Sequence, residues 1–152
     1  MLLTRTVAAA SFPVVLDDVK EHLRVDGDDE NAYITGLIAD ATSAAEEMTG
    51  RALITQTWAV SVDGACGDMR LPVLPVQSVS SISYFDANDD AQTADVSDFY
   101  LFKDNDRATV RPKSGASWPT TILRDDALTV TFVAGYGAAS DVPVEFRRAI
   151  LL

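Results

Sequence analysis

The side chains best suited to nucleophilic catalysis are one histidine, His22, and one cysteine, Cys66. A catalytic cysteine needs a base beside it and a third group that orients the base. These two residues lie far apart in the sequence, and no pattern around either one supplies the third group. The sequence therefore gives a Cys–His nucleophile little support. A lone cysteine also cannot form an intramolecular disulfide, which is typical of a cytoplasmic origin.

The next candidate is an acidic run that could bind a metal ion. Asp86, Asn88 and Asp90 have the spacing of the first half of a calcium-binding loop. Such a loop next requires glycine and ends on a glutamate, whereas this chain has Ala91 and Ser97 at those places. We therefore interpret the run as a solvated turn and predict no metal and no cofactor. Phosphate-loop and hydrolase motifs are absent as well, so we predict that the protein is not an enzyme.

Composition limits the partners of the chain. It has 152 residues with 12 Lys and Arg against 23 Asp and Glu, a net charge of −11. Such an acidic chain lacks the basic footprint that holds nucleic acid, although it could surround a duplex without gripping it. A hydrophobic content of 47% is typical of a globular domain with a real core. No apolar run approaches the roughly 20 residues of a membrane span.

The elements that must position any functional residue begin with an arm and two helices. We predict an extended arm over residues 1–15, a short helix over 16–24 and a longer helix over 29–49. Apolar residues of the longer helix recur at steps of three and four: Ile34, Leu37, Ile38, Ala41, Ala44, Ala45 and Met48. The predicted caps of this helix are Asp28 or Asp29 at its start and Gly50 at its end.

The middle of the chain is predicted to be β structure, because β-branched residues, serines, glycines and prolines replace the alanines. The predicted strands cover 58–62, 69–71, 76–85, 99–102, 108–111 and 128–134. Their short lengths and near-regular spacing indicate a small antiparallel sheet or sandwich. The last strand alternates most clearly, with one face formed by Leu128, Val130, Phe132 and Ala134.

A helix is predicted after Pro143, with Phe146, Ala149 and Ile150 at helical spacing. Its end is apolar and carries no capping signal. We therefore expect this helix to continue in a longer parent chain or to dock on another protein.

These elements predict an α+β fold in which an N-terminal helical pair and a C-terminal helix pack together, with an inserted small antiparallel β lobe. We expect a single domain over 1–152. Its parts are an arm and helices at 1–52, the β lobe at 53–134, and a loop and the start of the last helix at 135–152.

Several segments, in this order and spacing, resemble the head–tail connector (adaptor) proteins of long-tailed bacteriophages and gene transfer agents. They are LDDVKEHLRV at 16–25, AAEEMTGRAL at 44–53 before the Trp58 strand, and VAGYG at 133–137 before Val142-Pro143 and AILL at 149–152. LPVLPVQSV at 71–79 resembles the longer members of that family, which carry a β insertion.

The resemblance implies a structural virion protein that forms a ring, commonly of twelve copies, beneath the portal of the capsid. It implies a portal protein on the side of the C-terminal helix and a stopper or tail-completion protein on the other side. DNA would pass through the middle without specific binding. The protein would be found at the head–tail junction of the virion, after assembly in the bacterial cytoplasm and away from any membrane.

Two sets of residues become candidates for contacts in such an assembly. The candidates for the portal side are Phe146, Arg147, Ile150 and Leu151, although the three apolar ones could equally be core. The candidates for the subunit interface are the large aromatics Trp118, Tyr100 and Tyr84, since such residues are enriched at interfaces. Core packing stays open for these residues too, and it is favoured for Trp58.

Two other functions fit the same sequence. One is a stopper or tail-terminator ring protein, but those proteins are mostly β, and the helices predicted at 16–49 argue against them. The other is an unrelated cytoplasmic module that binds a ligand in its β lobe and needs no ring.

Overall fold

The computed structural model describes residues 1–64 and 67–152. Its strands are β1 Leu2–Val7, β2 Gln56–Val62, β3 Met69–Leu71, β4 Val76–Phe85, β5 Ala91–Ala94, β6 Phe99–Lys103, β7 Ala108–Pro112 and β8 Leu128–Ala134. Its helices are α1 Leu16–Leu23, α2 Asn31–Thr49 and α3 Val144–Ile150. Short 3-10 turns lie at Val96–Asp98 and Ala139–Asp141. The predicted α+β fold class is confirmed.

The strands form two antiparallel sheets. One has five strands in the order β1-β2-β8-β4-β5, and the other has three in the order β3-β7-β6. At the middle of the larger sheet, Val60, Val130 and Ile82 are aligned across three neighbouring strands, and each is 0% exposed. The alternation predicted for β8 is confirmed, because its four predicted inward residues are all buried.

The main hydrophobic core lies where the two sheets meet. Phe132, Val60 and Ile82 enter it from the larger sheet, while Leu71 and Val110 enter it from the smaller one. The two sheets pack on each other because each has one apolar face, and such a face must be buried against another layer.

The three helices form a second, smaller core. Val19 of α1 and the α2 residues Ile34 and Ile38 are buried together, and Ile150 and Leu151 pack against them. The predicted packing of the first helices on the last one is therefore confirmed. The C-terminus of α2 also forms as predicted: Gly50 has φ 64°, the left-handed conformation that ends many helices.

The start of α2 differs from the prediction. The helix begins at Asn31, after an N-cap residue, Glu30, that makes no side-chain capping hydrogen bond. Asp28 instead accepts hydrogen bonds from Asn31 Nδ2 at 3.0 Å and Lys20 Nζ at 3.1 Å. The carboxylate therefore joins α1 to α2 rather than capping the backbone.

The apolar set predicted for α2 is also partly wrong. Leu37 and Ala44 are exposed, and Met48 is 87% exposed. The helix is apolar on two sides, and only the side of Ile34, Ile38 and Thr42 meets the core. Apolar residues recur at steps of three and four on both sides of the helix, so the sequence pattern alone does not show which side is buried.

Two further findings concern the edge strands of the larger sheet, β1 and β5. The predicted extended arm forms β1, which pairs with β2 in the same sheet as the inserted strands. The strand β5 was not predicted, because its sequence, Ala-Gln-Thr-Ala, has no apolar alternation and lies on the surface. It forms by pairing with the second half of β4.

Candidate functional site

The structure explains the calcium-like run by local hydrogen bonding. The Asp86 carboxylate accepts from the backbone N–H groups of Asn88 at 2.8 Å and Asp90 at 3.2 Å, and from Gln92 Nε2 at 3.2 Å. The bond from the Asn88 N–H, followed by that from Asp90, lowers the pKa of Asp86. Within residues 1–64 and 67–152, no cluster of three acidic, histidine or cysteine side chains is arranged to hold a metal. Cys66 lies outside the described residues, so the Cys–His pair stays untested.

A buried polar network joins the helices to the larger sheet. Gln56, at the start of β2, is 2% exposed. Its Nε2 donates to Glu46 Oε1 at 2.7 Å, and the same oxygen accepts from the backbone N–H of Leu53 at 2.7 Å. Arg5 Nη1 donates to Gln56 Oε1 at 3.4 Å. The network fixes α2 against β2 and β1, and sequence patterning did not reveal it.

A single arginine joins the smaller sheet to the helical part. Arg51 Nη2 donates to the Asn105 carbonyl at 2.6 Å and to Asp106 Oδ1 at 3.2 Å, both in the turn between β6 and β7. Its Nη1 donates to the Tyr136 hydroxyl at 3.1 Å. The largely buried Arg51 side chain therefore joins the end of α2 to two other parts of the chain, the β6–β7 turn and the loop after β8.

The loop between β8 and α3 is held closely against the chain that follows α2. A Cβ on Gly135 would stand 2.4 Å from the Ile54 carbonyl oxygen, so only glycine fits. The N–H of Tyr136 donates to the Leu53 carbonyl at 3.2 Å, and that of Thr55 donates to the Gly137 carbonyl at 3.1 Å. This loop therefore fixes where α3 begins.

The four candidates for the portal side are all half-buried. Phe146 stacks on Tyr136 with ring centroids 5.9 Å apart, while Ile150 and Leu151 pack against the helical core. The Nε of Arg147 is buried and, among the described residues, has no hydrogen-bond partner. The four lie together on α3 and its end, with their apolar members turned partly inward.

The three aromatic candidates lie in different settings. Tyr100 is 49% exposed on β6, with its ring centroid 5.6 Å from that of Phe102. Trp118 is half-buried, with its ring 4.7 Å from that of Phe99 and its Nε1 donating to the Gly67 carbonyl at 2.8 Å. Tyr84 lies in the larger sheet, half-buried against the main core. Of the three, Tyr100 offers the most free surface.

An open cleft of about 470 Å³ lies between β1, β2 and the end of α2. Arg5 lies over the Trp58 ring, 5.8 Å from its centroid, and both line this cleft together with Glu46 and Arg51. Among the residues that the structure describes, no histidine or cysteine lines it. Three of its four charged residues, Arg5, Glu46 and Arg51, make the structural contacts described above, and the fourth is the exposed Glu47.

A model of the phage gp6-like head-tail connector family matches residues 13–109, which is 97 of the 152 residues. The chain belongs to this family. The matched region runs from just before α1 into β7, and so includes three of the four segments that carried the resemblance, those at 16–25, 44–53 and 71–79. The family's role is structural: the connector is a virion component and not an enzyme, as the sequence predicted.

The connector also shares its fold with solved structures of gene transfer agent (GTA) particles. One is a chain of the neck of the empty GTA particle, computed with C6 symmetry: it has a TM-score of 0.84 and 22% identity, over 99% of the connector and 80% of that chain. A chain of the virion of the native GTA particle has a TM-score of 0.81, 22% identity and the same coverages. A chain of the neck of the native particle, computed with C12 symmetry, has a TM-score of 0.79 and 23% identity, over 99% and 79%. Comparison with curated proteins found no match.

These likenesses extend the shared fold beyond the matched region to β8 and α3, since they cover almost the whole connector. No helix among the described residues has the length and apolar character needed to cross a membrane.

Proposed function

We propose that the connector assembles as a ring of twelve copies at the head–tail junction of the virion. In this proposal the portal protein lies on the side of α3, and a stopper or tail-completion protein lies on the opposite side. DNA passes through the middle of the ring. The ring is assembled in the bacterial cytoplasm as part of the particle.

The observation that carries the proposal is the family match, supported by the likeness to chains of particle necks. Those necks were computed with C6 and C12 symmetry. A ring of twelve fits both, because a twelvefold axis contains a sixfold one. The stopper and tail-terminator alternative loses support, because the matched region includes both leading helices.

Charge supports a passive channel. The connector has a net charge of −11, so its summed field repels phosphates. A wall that bound phosphates through many Lys and Arg side chains would hold the duplex in place, and would do so more strongly at low salt. We therefore propose that DNA moves past the ring without a sequence-specific or lasting contact.

Arg147 supports the placing of the portal contact on α3. Arg147 and the exposed Arg148 place two positive charges on α3, in a chain whose net charge is −11. A carboxylate of the portal would pair with this positive charge. The half-buried apolar residues of α3 would hold the helix in place by packing within the subunit, and their exposed parts would add apolar contact with the portal. These residues are Phe146, Ile150 and Leu151.

The test is binding to the cognate portal, followed by electron microscopy of the mixture. We expect a ring stacked coaxially on the portal, with α3 at the contact. Arg147→Glu should weaken binding at least tenfold, whereas Arg107→Glu, the same charge change in the turn between β6 and β7, should not. A folded connector that fails to bind an intact portal would overturn the proposal.

A further inference from the structure

We propose that neighbouring connectors in the ring join their larger sheets, with β1 of one copy adding as a parallel strand to β5 of the next. The inference rests on the ring proposed above and names the surfaces that would build it. The partner is a second copy of this chain.

The topology presents two free strand edges. The strands β1 and β5 are the outermost strands at opposite edges of the five-stranded sheet. Within the described part of the chain, each pairs with one strand only, β1 with β2 and β5 with β4. Every residue of β1 is exposed, and three of the four residues of β5 are exposed. Their outer N–H and C=O groups are therefore available for a further strand.

Neither edge strand contains a lysine or a proline, two residue types that protect many exposed strands from pairing. The strand β5 is uncharged, and β1 exposes Leu2 and Val7, with a pairing irregularity only at its end. The first half of β4 shows the contrast, since Lys103 Nζ covers its edge by donating to the Gln77 carbonyl at 2.5 Å.

The charges around the two edges are complementary. Residues 1–16 carry one charged side chain, Arg5, which is positive. Residues 86–98, which contain β5 and its flanking turns, carry five aspartates and no lysine or arginine. Two copies paired through β5 would place ten aspartates together, whereas β1 against β5 places five aspartates beside a segment whose one charged side chain is positive. The charges therefore favour contact between the two different edges.

Contact between different edges is the arrangement that a closed ring requires. A heterologous, head-to-tail interface generates a ring when the rotation between copies closes. The sheet is antiparallel throughout, so its first and fifth strands run in the same direction. One step of a twelvefold ring turns a subunit by only about 30°, which nearly preserves that direction. The new strand pair must therefore be parallel.

Engineered disulfides test this pairing in the assembled ring. In a Cys66→Ser background, Thr4→Cys would be combined in turn with a cysteine at Ala91, Gln92, Thr93 or Ala94. Within one copy the two edges are four strand spacings apart, roughly 19 Å, and a disulfide requires Cα atoms within about 7 Å. Any bond must therefore join two copies.

We expect at least one pair, oxidised on the portal, to give a ladder of covalent multimers on a non-reducing gel. Each single-cysteine variant, as a control, should give dimers at most. If Thr4→Cys links to Thr93→Cys, parallel pairing predicts that Leu2→Cys links to Ala91→Cys and not to Asp95→Cys.

Electron microscopy of the same samples separates the outcomes. Rings on the portal without a ladder from any of the four pairs would overturn the strand pairing and leave the proposed function in place. A link to Asp95→Cys instead would overturn the parallel direction. Failure of the unmodified connector to form rings on an intact portal would overturn both proposals.

Discussion

Gln56 Nε2 donates a 2.7 Å hydrogen bond to Glu46 Oε1 across the junction between α2 and the larger sheet. The same oxygen accepts the backbone N–H of Leu53. One carboxylate therefore satisfies a buried amide and a buried backbone donor, and it aligns the helical part with the first residue of β2. The orientation of the helices on the sheet depends on this contact.

Replacing Glu46 by alanine should destabilise the connector by about 2–3 kcal/mol, because two donors on buried residues, the Gln56 amide and the Leu53 N–H, lose their shared acceptor. In a domain of this size that lowers Tm by roughly 4–12 °C. Glu46→Gln keeps a carbonyl oxygen and should recover most of the loss. Thermal unfolding followed by circular dichroism measures both, and equal Tm values for Glu46→Ala and the unmodified protein would contradict the role.

Gly135→Ala should be among the most damaging small substitutions. Gly135 has φ +126°, and an added Cβ would meet the backbone of Ile54 at 2.4 Å. Strain of this kind costs on the order of 1–3 kcal/mol, to which the clash adds. Gly27→Ala is the matched control, since Gly27 also has positive φ, +85°, but open space around it. Urea unfolding should show a clearly larger loss for Gly135→Ala, and similar losses would contradict the close approach.

Substitutions at Trp118 and Tyr100 should have different effects, the first on the stability of the isolated protein and the second on ring assembly. Trp118→Ala removes the stacking on Phe99 and a hydrogen bond to Gly67, and should cost about 2–4 kcal/mol in the isolated protein. Tyr100→Ser, at an exposed site, should change stability by less than about 0.5 kcal/mol. If Tyr100 is a subunit contact, this variant should instead lower the yield of rings on the portal by electron microscopy. If the Tyr100→Ser variant forms rings in the same yield as the unmodified protein, Tyr100 is not a subunit contact.

Acid should destabilise the connector through carboxylates that are hydrogen-bonded in the native state. Hydrogen bonds lower the pKa of Asp28, Asp68, Asp86, Asp95, Asp104 and Asp126. A lowered folded-state pKa gives stability that is present above the unfolded pKa of about 3.9. That stability is lost as the pH falls through the folded-state values.

The expected result is therefore a Tm that is nearly constant from pH 7 to about 5 and falls below about pH 4. Asp86→Asn keeps an acceptor oxygen for the N–H groups of Asn88 and Asp90 but cannot titrate, so its Tm should fall less steeply. A Tm for the unmodified protein that stays constant down to pH 2.5 would contradict this account.

Much of the fold was predictable because its strongest patterns are local. The alternation of Leu128, Val130, Phe132 and Ala134 predicted a strand with one buried face, and Gly50 predicted where α2 ends. One strand and one helix start escaped prediction for physical reasons. The strand β5 has no apolar face of its own, and Glu30 begins α2 without a capping side chain.

The site was less predictable, because its contacts join residues distant in the chain. Arg51 meets Asn105 and Tyr136, and Gln56 meets Glu46, through a geometry that no periodicity encodes. The candidates on α3 were chosen from an apolar pattern, and that pattern alone cannot separate a partner contact from core packing. The structure shows that Phe146, Ile150 and Leu151 already use part of their surface within the subunit.

The sequence by itself determined the α+β class, the paired leading helices, the acidic charge and the resemblance to connectors, because each depends on residue type and on spacing along the chain. Only the tertiary structure decided that the N-terminal arm forms one edge strand of the larger sheet and β5 the other. It also decided which side of α2 is buried and which acceptors meet the buried donors. Those outcomes depend on long-range packing, in which an element takes its place from the surface it can cover and not from its own sequence.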